Sequence, residues 1–151
     1  MKKIFLLVLC VLCLTACSSN TKKVAKNVND FETLALTKGF TVVKDNKDYD
    51  GVPYITEYSK ITYGESTVEM IVYSDSDMAD TVQQSHIESF AVYKSTGAPI
   101  NKNIGKNHYH YSLISNNMYM LSTRIENTLI FCKISINDKD LVLGLVTELG
   151  Y

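Results

Sequence analysis

The feature that most constrains the fold of this chain is an alternation of side-chain character between positions 128 and 136. In that segment every second residue is apolar or a small hydrophobe: Ile130, Cys132, Ile134 and Ile136. Successive side chains of a β-strand point to opposite faces of its sheet, so a period of two predicts a strand with one buried face. We therefore expect a domain built around a sheet.

Other segments of the chain predict further strands and three helices. The additional strands are predicted over 40–43, 54–63, 67–74, 108–114 and 118–124, with turn residues between them. The helices are predicted where a capping residue precedes an apolar stripe of helical period. They begin at Asn29, Ser76 and Asn137 and end near Gly39, Ser95 and Gly150.

This order of elements predicts the fold class. Written as α-βββα-βββα, it predicts an α+β fold in which an antiparallel sheet carries its helices on one face. The two βββα units are of similar length, which suggests a diverged internal duplication. The alternative is that the shared α+β pattern alone produces the similarity. We expect a single domain over 29–151.

The first 17 residues have the three parts of an export signal. A positive start, Met1-Lys2-Lys3, precedes an apolar stretch over 4–14 and a small-residue cleavage site. The apolar stretch is shorter than the roughly 20 residues that a membrane-spanning helix needs. The segment Leu14-Thr15-Ala16-Cys17 resembles the lipobox of bacterial lipoprotein precursors, which implies cleavage after position 16 and lipidation, for example with palmitate, on Cys17. A soluble secreted protein is the alternative.

This resemblance implies an extracytoplasmic protein anchored to a cell membrane by lipid. Residues 1–16 would be the cleaved signal peptide, and 17–28, which are polar and lack a hydrophobic period, a flexible tether. Cleavage leaves 13 basic and 16 acidic residues, so nucleic acid is not an expected partner. Cleavage also removes Cys10 and Cys13, and lipidation uses Cys17. Only Cys132 remains, so no intramolecular disulfide is expected.

A candidate calcium site lies in the acidic loop over 46–57. Calcium-binding loops place oxygen ligands at alternate positions, a glycine at the sixth position and a glutamate at the twelfth. Gly51 fits this spacing when the loop begins at Asn46. The ligands would be Asn46, Asp48, Asp50 and Glu57. The alternative is a solvated acidic turn in which Gly51 supplies a left-handed residue.

Three histidines are candidate ligands for a transition metal. His108 and His110 would face the same side of a strand, a spacing that suits zinc or copper. Two ligands do not make a site, and the third candidate, His86, lies on the apolar face of a predicted helix. A satisfied, partly buried histidine is the simpler interpretation of His86.

The chain has no motif that identifies an active site. Asp75, Asp77 and Asp80 could form an acid-base centre, but helix capping explains the first two without chemistry. Nucleophile-elbow, zinc-protease and phosphate-loop motifs are absent from the sequence. We therefore expect no enzymatic activity.

Tyrosine is the main aromatic residue of this chain, with ten tyrosines and no tryptophan. Tyr109, Tyr111 and Tyr119 lie on adjacent predicted strands and would form a binding surface if they shared an exposed face. The alternative is that tyrosine is present because it suits strands.

Over most of its length the chain resembles the small, functionally uncharacterised lipoproteins of low-GC Gram-positive bacteria. The segments that carry this likeness are Lys38-Gly39-Phe40, Arg124-Ile125-Glu126-Asn127-Thr128-Leu129 and Leu149-Gly150-Tyr151. The resemblance implies no activity and assigns a role to Cys17 alone. We expect a non-enzymatic module that binds a protein, peptide or envelope component, as an immunity or inhibitor lipoprotein does. The alternatives are a calcium-responsive surface protein and a small cell-surface hydrolase.

Overall fold

A computed structural model describes residues 21–44 and 47–151 of the chain. The predicted signal peptide and Cys17 lie outside these residues. The helices are α1, Val28–Thr37, α2, Ser76–Ala91, and α3, Lys139–Glu148, which follows a 3₁₀ turn at Ile136–Asp138. The strands are β1, Thr41–Val42, β2, Ile55–Tyr63, β3, Ser66–Tyr73, β4, Ile100–Ile104, β5, His108–Ser115, β6, Met118–Ile125, and β7, Thr128–Ser135. None of these helices is long and apolar enough to cross a membrane.

The seven strands form one antiparallel sheet in the order β1-β2-β3-β7-β6-β5-β4. Strands that follow one another in the chain pair with each other, so β1 to β3 and β4 to β7 form two meanders. The meanders join where β3 pairs with β7, with Met70 opposite Ile130. The predicted α+β fold and antiparallel sheet are confirmed, and β1 and β4 are the two edges.

Helices cover both faces of the sheet, so the prediction that they share one face is wrong. On one face of the sheet, which we call face A, α1 and α3 pack against side chains that include Met70, Ile130 and Cys132. On face B, α2 packs against side chains that include Leu129 and Phe131. Residues 129–132 of β7 are all apolar, and a strand that is apolar on both sides must be covered on both sides.

Capping side chains determine where the first two helices begin. The side chain of Asn27 accepts a hydrogen bond of 2.8 Å from a backbone N–H in the first turn of α1. The predicted cap at Asn29 is therefore wrong. Asp75 caps α2 in the same way, also at 2.8 Å, and this helix begins at the predicted residue, Ser76. It ends at Ala91, before the predicted end near residue 95.

Strand β4 is an addition to the predicted elements, and it changes their order to α-βββα-ββββα. The segment has Pro99 before it and Gly105 after it, with isoleucines at its first and last positions. These bounding residues are the signal that would have identified it. If the two units were copies of each other, a two-fold axis perpendicular to the sheet would exchange β3 with β7. That rotation does not exchange the faces of the sheet, so α2 and α3 would lie on the same face. They lie on opposite faces, so the fold gives the predicted duplication no support.

Part of the segment predicted to be a tether is held against the domain. The backbone N–H of Lys23 donates to Oδ1 of Asn107 at 3.0 Å, and Ala25 packs against the core on face A. Helix α1 then starts at Val28. The folded domain therefore begins before residue 29, whereas 17–20 lie outside the described residues.

Candidate functional site

Strand β4 is the longer of the two sheet edges. It has five residues, all exposed, whereas β1 has two. The Gly105 N–H donates to the His108 carbonyl at 2.9 Å, and the Ile114 N–H donates to the Pro99 carbonyl at 3.0 Å. In an antiparallel pair, every second residue of a strand hydrogen-bonds to the neighbouring strand, and the residues between them direct their backbone groups the other way. The residues whose backbone N–H and C=O groups point away from the sheet are therefore Ile100, Lys102 and Ile104.

Apolar and aromatic side chains accompany this edge on face B. Ile100 and Ile104 are 42% and 57% exposed, and Ile104 lies opposite Tyr109. The ammonium of Lys102 lies 5.4 Å from the centre of the Tyr109 ring, a cation–π distance. Lys102 is also the residue opposite Tyr111. We call this set the edge site: Ile100, Lys102, Ile104, Tyr109 and Tyr111.

The three tyrosines predicted to form a binding surface do not share a face. Tyr109 and Tyr111 are half-buried on face B, where the Tyr111 ring stacks 6.2 Å from that of Phe90. Tyr119 is 2% exposed and packs in the core on face A. Burial raises the pKa of Tyr119. The prediction of one surface from all three is wrong, and Tyr119 is a core residue.

A cleft of about 400 Å³ opens at the end of the edge site. Ile104 and Tyr109 contribute to one side of it, and the first turns of α2 contribute Ser76 and Asp80. Arg124 and Glu126 contribute charged groups from β6 and the turn after it. An extended chain lying along β4 would therefore reach both apolar and charged groups at this end.

The walls of the cleft are fixed by Arg124, the only arginine of the chain. Its guanidinium donates to the Gln83 side-chain oxygen at 3.1 Å, to the Glu126 carbonyl at 3.0 Å and to the Asp80 carboxylate at 2.7 Å. Gln83 is fully buried and in turn donates to the backbone carbonyls of Tyr109 and Ser122. This network attaches α2 to β5 and β6, which gives the cleft a rigid frame.

The predicted calcium ligands are not brought together by the described part of the chain. Asn46 lies outside the described residues. The Asp48 carboxylate accepts a hydrogen bond of 2.6 Å from Lys60, whereas Asp50 and Glu57 line a cavity of about 430 Å³. Within residues 21–44 and 47–151, no three His, Cys, Asp or Glu side chains form a group that could hold a metal. Calcium binding stays a prediction without structural support.

The third histidine, His86, lies on the other face of the sheet from His108 and His110. His108 and His110 share face A, as predicted, and their buried Nδ1 and Nε2 atoms, respectively, have no hydrogen-bond partner among the described residues. His86 is on face B, where its ring lies 4.0 Å from that of Phe131 and its Nδ1 is 3.5 Å from the Ser122 hydroxyl. Ser122 is fully buried, so this serine and histidine are not placed to meet a substrate.

The three aspartates near the start of α2 have structural surroundings. Asp75 caps the helix, and its hydrogen bond from a backbone N–H lowers the pKa of its carboxyl group. Asp77 lies in the first helical turn, where a negative charge is favourable. Asp80 pairs with Arg124. No general acid or base is indicated by this group.

Gly105, which follows β4, has no room for a side chain. A β-carbon built there would lie 1.9 Å from Cε1 of His108, whose side chain is buried. We expect Gly105→Ala to lower the free energy of unfolding by about 2 kcal/mol, the range for overpacking a core. Gly144→Ala is the matched control, because a β-carbon at residue 144 of α3 would have no described atom within 4 Å outside its own helix backbone and its chain neighbours. It should stabilise the protein by roughly 0.5–1 kcal/mol in urea unfolding, because alanine favours helix. Equal effects of the two variants would contradict this account.

Comparisons of the chain with models of protein families, with curated proteins and with solved structures find no match.

Proposed function

We propose that this protein is a lipid-anchored, extracytoplasmic binding module that takes up an extended segment of a partner protein at the edge site. The observation that carries the proposal is strand β4, an exposed edge of five residues whose outward backbone groups meet no strand from residues 21–44 or 47–151. Such an edge is a template for pairing with another chain. Natural proteins protect an edge with charged side chains, proline, bulges or a covering element, and within its five residues β4 has one of these, Lys102.

Strand addition would supply affinity and specificity from different groups. The outward N–H and C=O groups of β4 would hydrogen-bond to the backbone of the added strand, whatever its sequence. Side chains of that strand on face B would lie beside Ile100 and Ile104, where apolar residues are favoured. The cleft at Arg124 would receive the residue at the end of the strand. A partner segment with alternate apolar residues fits this arrangement.

The membrane-anchored part of the proposal rests on the sequence around Cys17. A lipid on this residue would retain the protein at the outer face of a membrane, where a partner could be an exported or neighbouring envelope protein. Metabolic labelling with palmitate, followed by fractionation, tests this part. Cys17→Ser should lose the label and leave the membrane fraction, whereas Cys132→Ser, a change at the buried cysteine, should retain both.

The edge site itself is tested by photo-crosslinking in intact cells. A benzoylphenylalanine placed at Ile104 should trap a discrete partner, and the same residue at Leu36, exposed on α1, should not. A double variant combines the crosslinker at position 104 with Lys102→Pro. The proline removes one outward N–H and leaves the β4–β5 hydrogen bonds in place, because proline is tolerated at sheet edges. The adduct should then fall about tenfold, which corresponds to roughly 1.4 kcal/mol of binding.

An unchanged adduct in that double variant would contradict strand addition at β4. Thermal unfolding of Lys102→Pro is the accompanying control, since a folded edge variant must unfold within a few degrees of the parent.

The calcium-responsive and hydrolase alternatives gain no support from the described residues. Lys60 pairs with Asp48, and Ser122 near His86 is fully buried.

A further inference from the structure

The N-terminal segment is fastened to one end of the sheet by a pair of hydrogen bonds. The Lys23 N–H donates to Oδ1 of Asn107 at 3.0 Å, and Nδ2 of Asn107 donates to the Lys23 carbonyl at 2.8 Å. The side-chain amide thus pairs with the backbone as a neighbouring strand would. We call this pair of hydrogen bonds the Asn107 clasp. Next to it, Lys22 forms an ion pair of 2.8 Å with Glu126.

Both contacts are made at the same end of the domain. Asn107 lies in the turn between β4 and β5, and Glu126 lies in the turn between β6 and β7. The two turns are directly joined, because the Glu126 N–H donates to the Asn107 carbonyl at 2.8 Å and Asn107 Nδ2 lies 3.4 Å from the Glu126 carboxylate. The chain therefore reaches the folded domain at a defined end of the sheet.

The position of this attachment limits how far the domain can be from a lipid on Cys17. Lys22 follows Cys17 by five residues, and a fully extended chain spans at most about 3.6 Å for each residue. The paired end of the domain therefore lies within roughly 18 Å of the lipidated residue, whatever path the intervening chain takes. A freely moving tether over 17–28 would allow more than twice this reach.

We propose that the end of the sheet that carries Asn107 and Glu126 faces the membrane and contacts its lipid headgroups. This inference rests on the proposed lipid anchor. It adds the orientation of the domain: the strands point toward the membrane, with the Ile104 end of β4 near the lipid and the Ile100 end away from it. The opposite end, where Asn116 and Asn117 join β5 to β6, faces outward.

The surface at this end suits a lipid interface. Val24, next to the clasp, is 78% exposed, so an apolar side chain is available at this end. Lys106, in the turn between β4 and β5, and Lys26, three residues after Lys23, are exposed, and their ammonium groups can meet headgroup phosphates. Acidic residues at the start of α2 lie at this end too, and they offset the positive charge of the lysines. The short connection between Cys17 and Lys22, more than net charge, therefore holds this end at the membrane.

The orientation is tested with the lipidated full chain in vesicles of phosphatidylglycerol and phosphatidylethanolamine that contain a nickel-chelating lipid. Nitroxide labels are placed on Lys106→Cys and, separately, on Asn116→Cys. Lipidated Cys17 has no free thiol, and Cys132 is buried, so only the introduced cysteine reacts. The two labels lie beyond opposite ends of β5, whose eight residues span about 26 Å. Headgroup nickel should relax the label at position 106 severalfold more strongly than the label at 116.

Equal relaxation of the two labels on protein that floats with the vesicles would overturn the orientation and leave the lipid anchor standing. Protein that carries no lipid and does not float would instead remove the anchor itself. Asn107→Ala opens the clasp and should reduce the difference between the labels. Asn101→Ala changes an exposed asparagine of β4 that makes no hydrogen bond to residues 21–27, and it should preserve the difference. Asn107→Asp keeps the acceptor and loses the donor, and should resemble Asn107→Ala.

Discussion

Arg124→Ala is expected to lower the free energy of unfolding by about 3 kcal/mol. The variant removes three hydrogen bonds and leaves the oxygen of the fully buried Gln83 side chain without its donor. An unsatisfied buried polar group costs roughly 1–3 kcal/mol, and the lost packing of the arginine stem adds to this. The measurement is urea unfolding followed by circular dichroism.

Two further variants identify the origin of that loss. Asp80→Ala removes only the half-exposed partner of Arg124 and should cost about 1 kcal/mol or less, as exposed ion pairs do. Lys102→Ala removes an exposed cation on the same face and should have little effect. If Arg124→Ala were no worse than Asp80→Ala, the bond to Gln83 would not be what attaches α2 to the sheet.

Acidification is expected to destabilise the protein between about pH 6.5 and pH 4, well before most carboxylates are protonated. Burial, with a smaller contribution from the positive charge of Lys133, lowers the pKa of His86 to about 4 from the usual 6.5. In this interval the unfolded chain binds a proton that the folded protein does not, so stability falls as the pH falls. The full contribution is present above pH 6.5. Its loss for His86 alone is on the order of 3 kcal/mol by pH 4.

The matched control for this pH dependence is His86→Leu, which keeps an apolar contact with Phe131 and cannot titrate. Its unfolding free energy should change less between pH 7 and pH 4 than that of the parent. A smaller residual slope is expected from His108 and His110, because burial also lowers the pKa of both imidazoles. If the slopes of parent and variant were equal, His86 would be solvated in the folded protein.

Local sequence signals predicted much of the fold. The alternation around Cys132 identified β7, and Ile130, Cys132 and Ile134 are buried on one face as expected. Asp75 predicted the start of α2 because a cap acts within its own turn. The packing of helices was not predictable in the same way. The face on which a helix lies depends on contacts between residues far apart in the chain, which no local pattern contains.

The error at Tyr119 has a definite physical cause in the length of one turn. The link between β5 and β6 has two residues, Asn116 and Asn117, both with positive φ, so Ser115 lies opposite Met118. A three-residue turn, as predicted from the sequence, would shift the register by one position. Such a shift moves every side chain of a strand to the other face. It would have placed Tyr119 beside the tyrosines of β5 instead of in the core.

The unequal edges of the sheet also limit how large an assembly can grow from it. A second copy that paired β4 with β4 would be related to the first by a two-fold axis, and each end of the joined sheet would then be a two-residue β1. Such a short strand offers too few hydrogen bonds to recruit another copy. Self-assembly through the sheet edges would therefore stop at a dimer instead of continuing into a fibre. For the same reason, each domain would bind one added strand at a time, at β4.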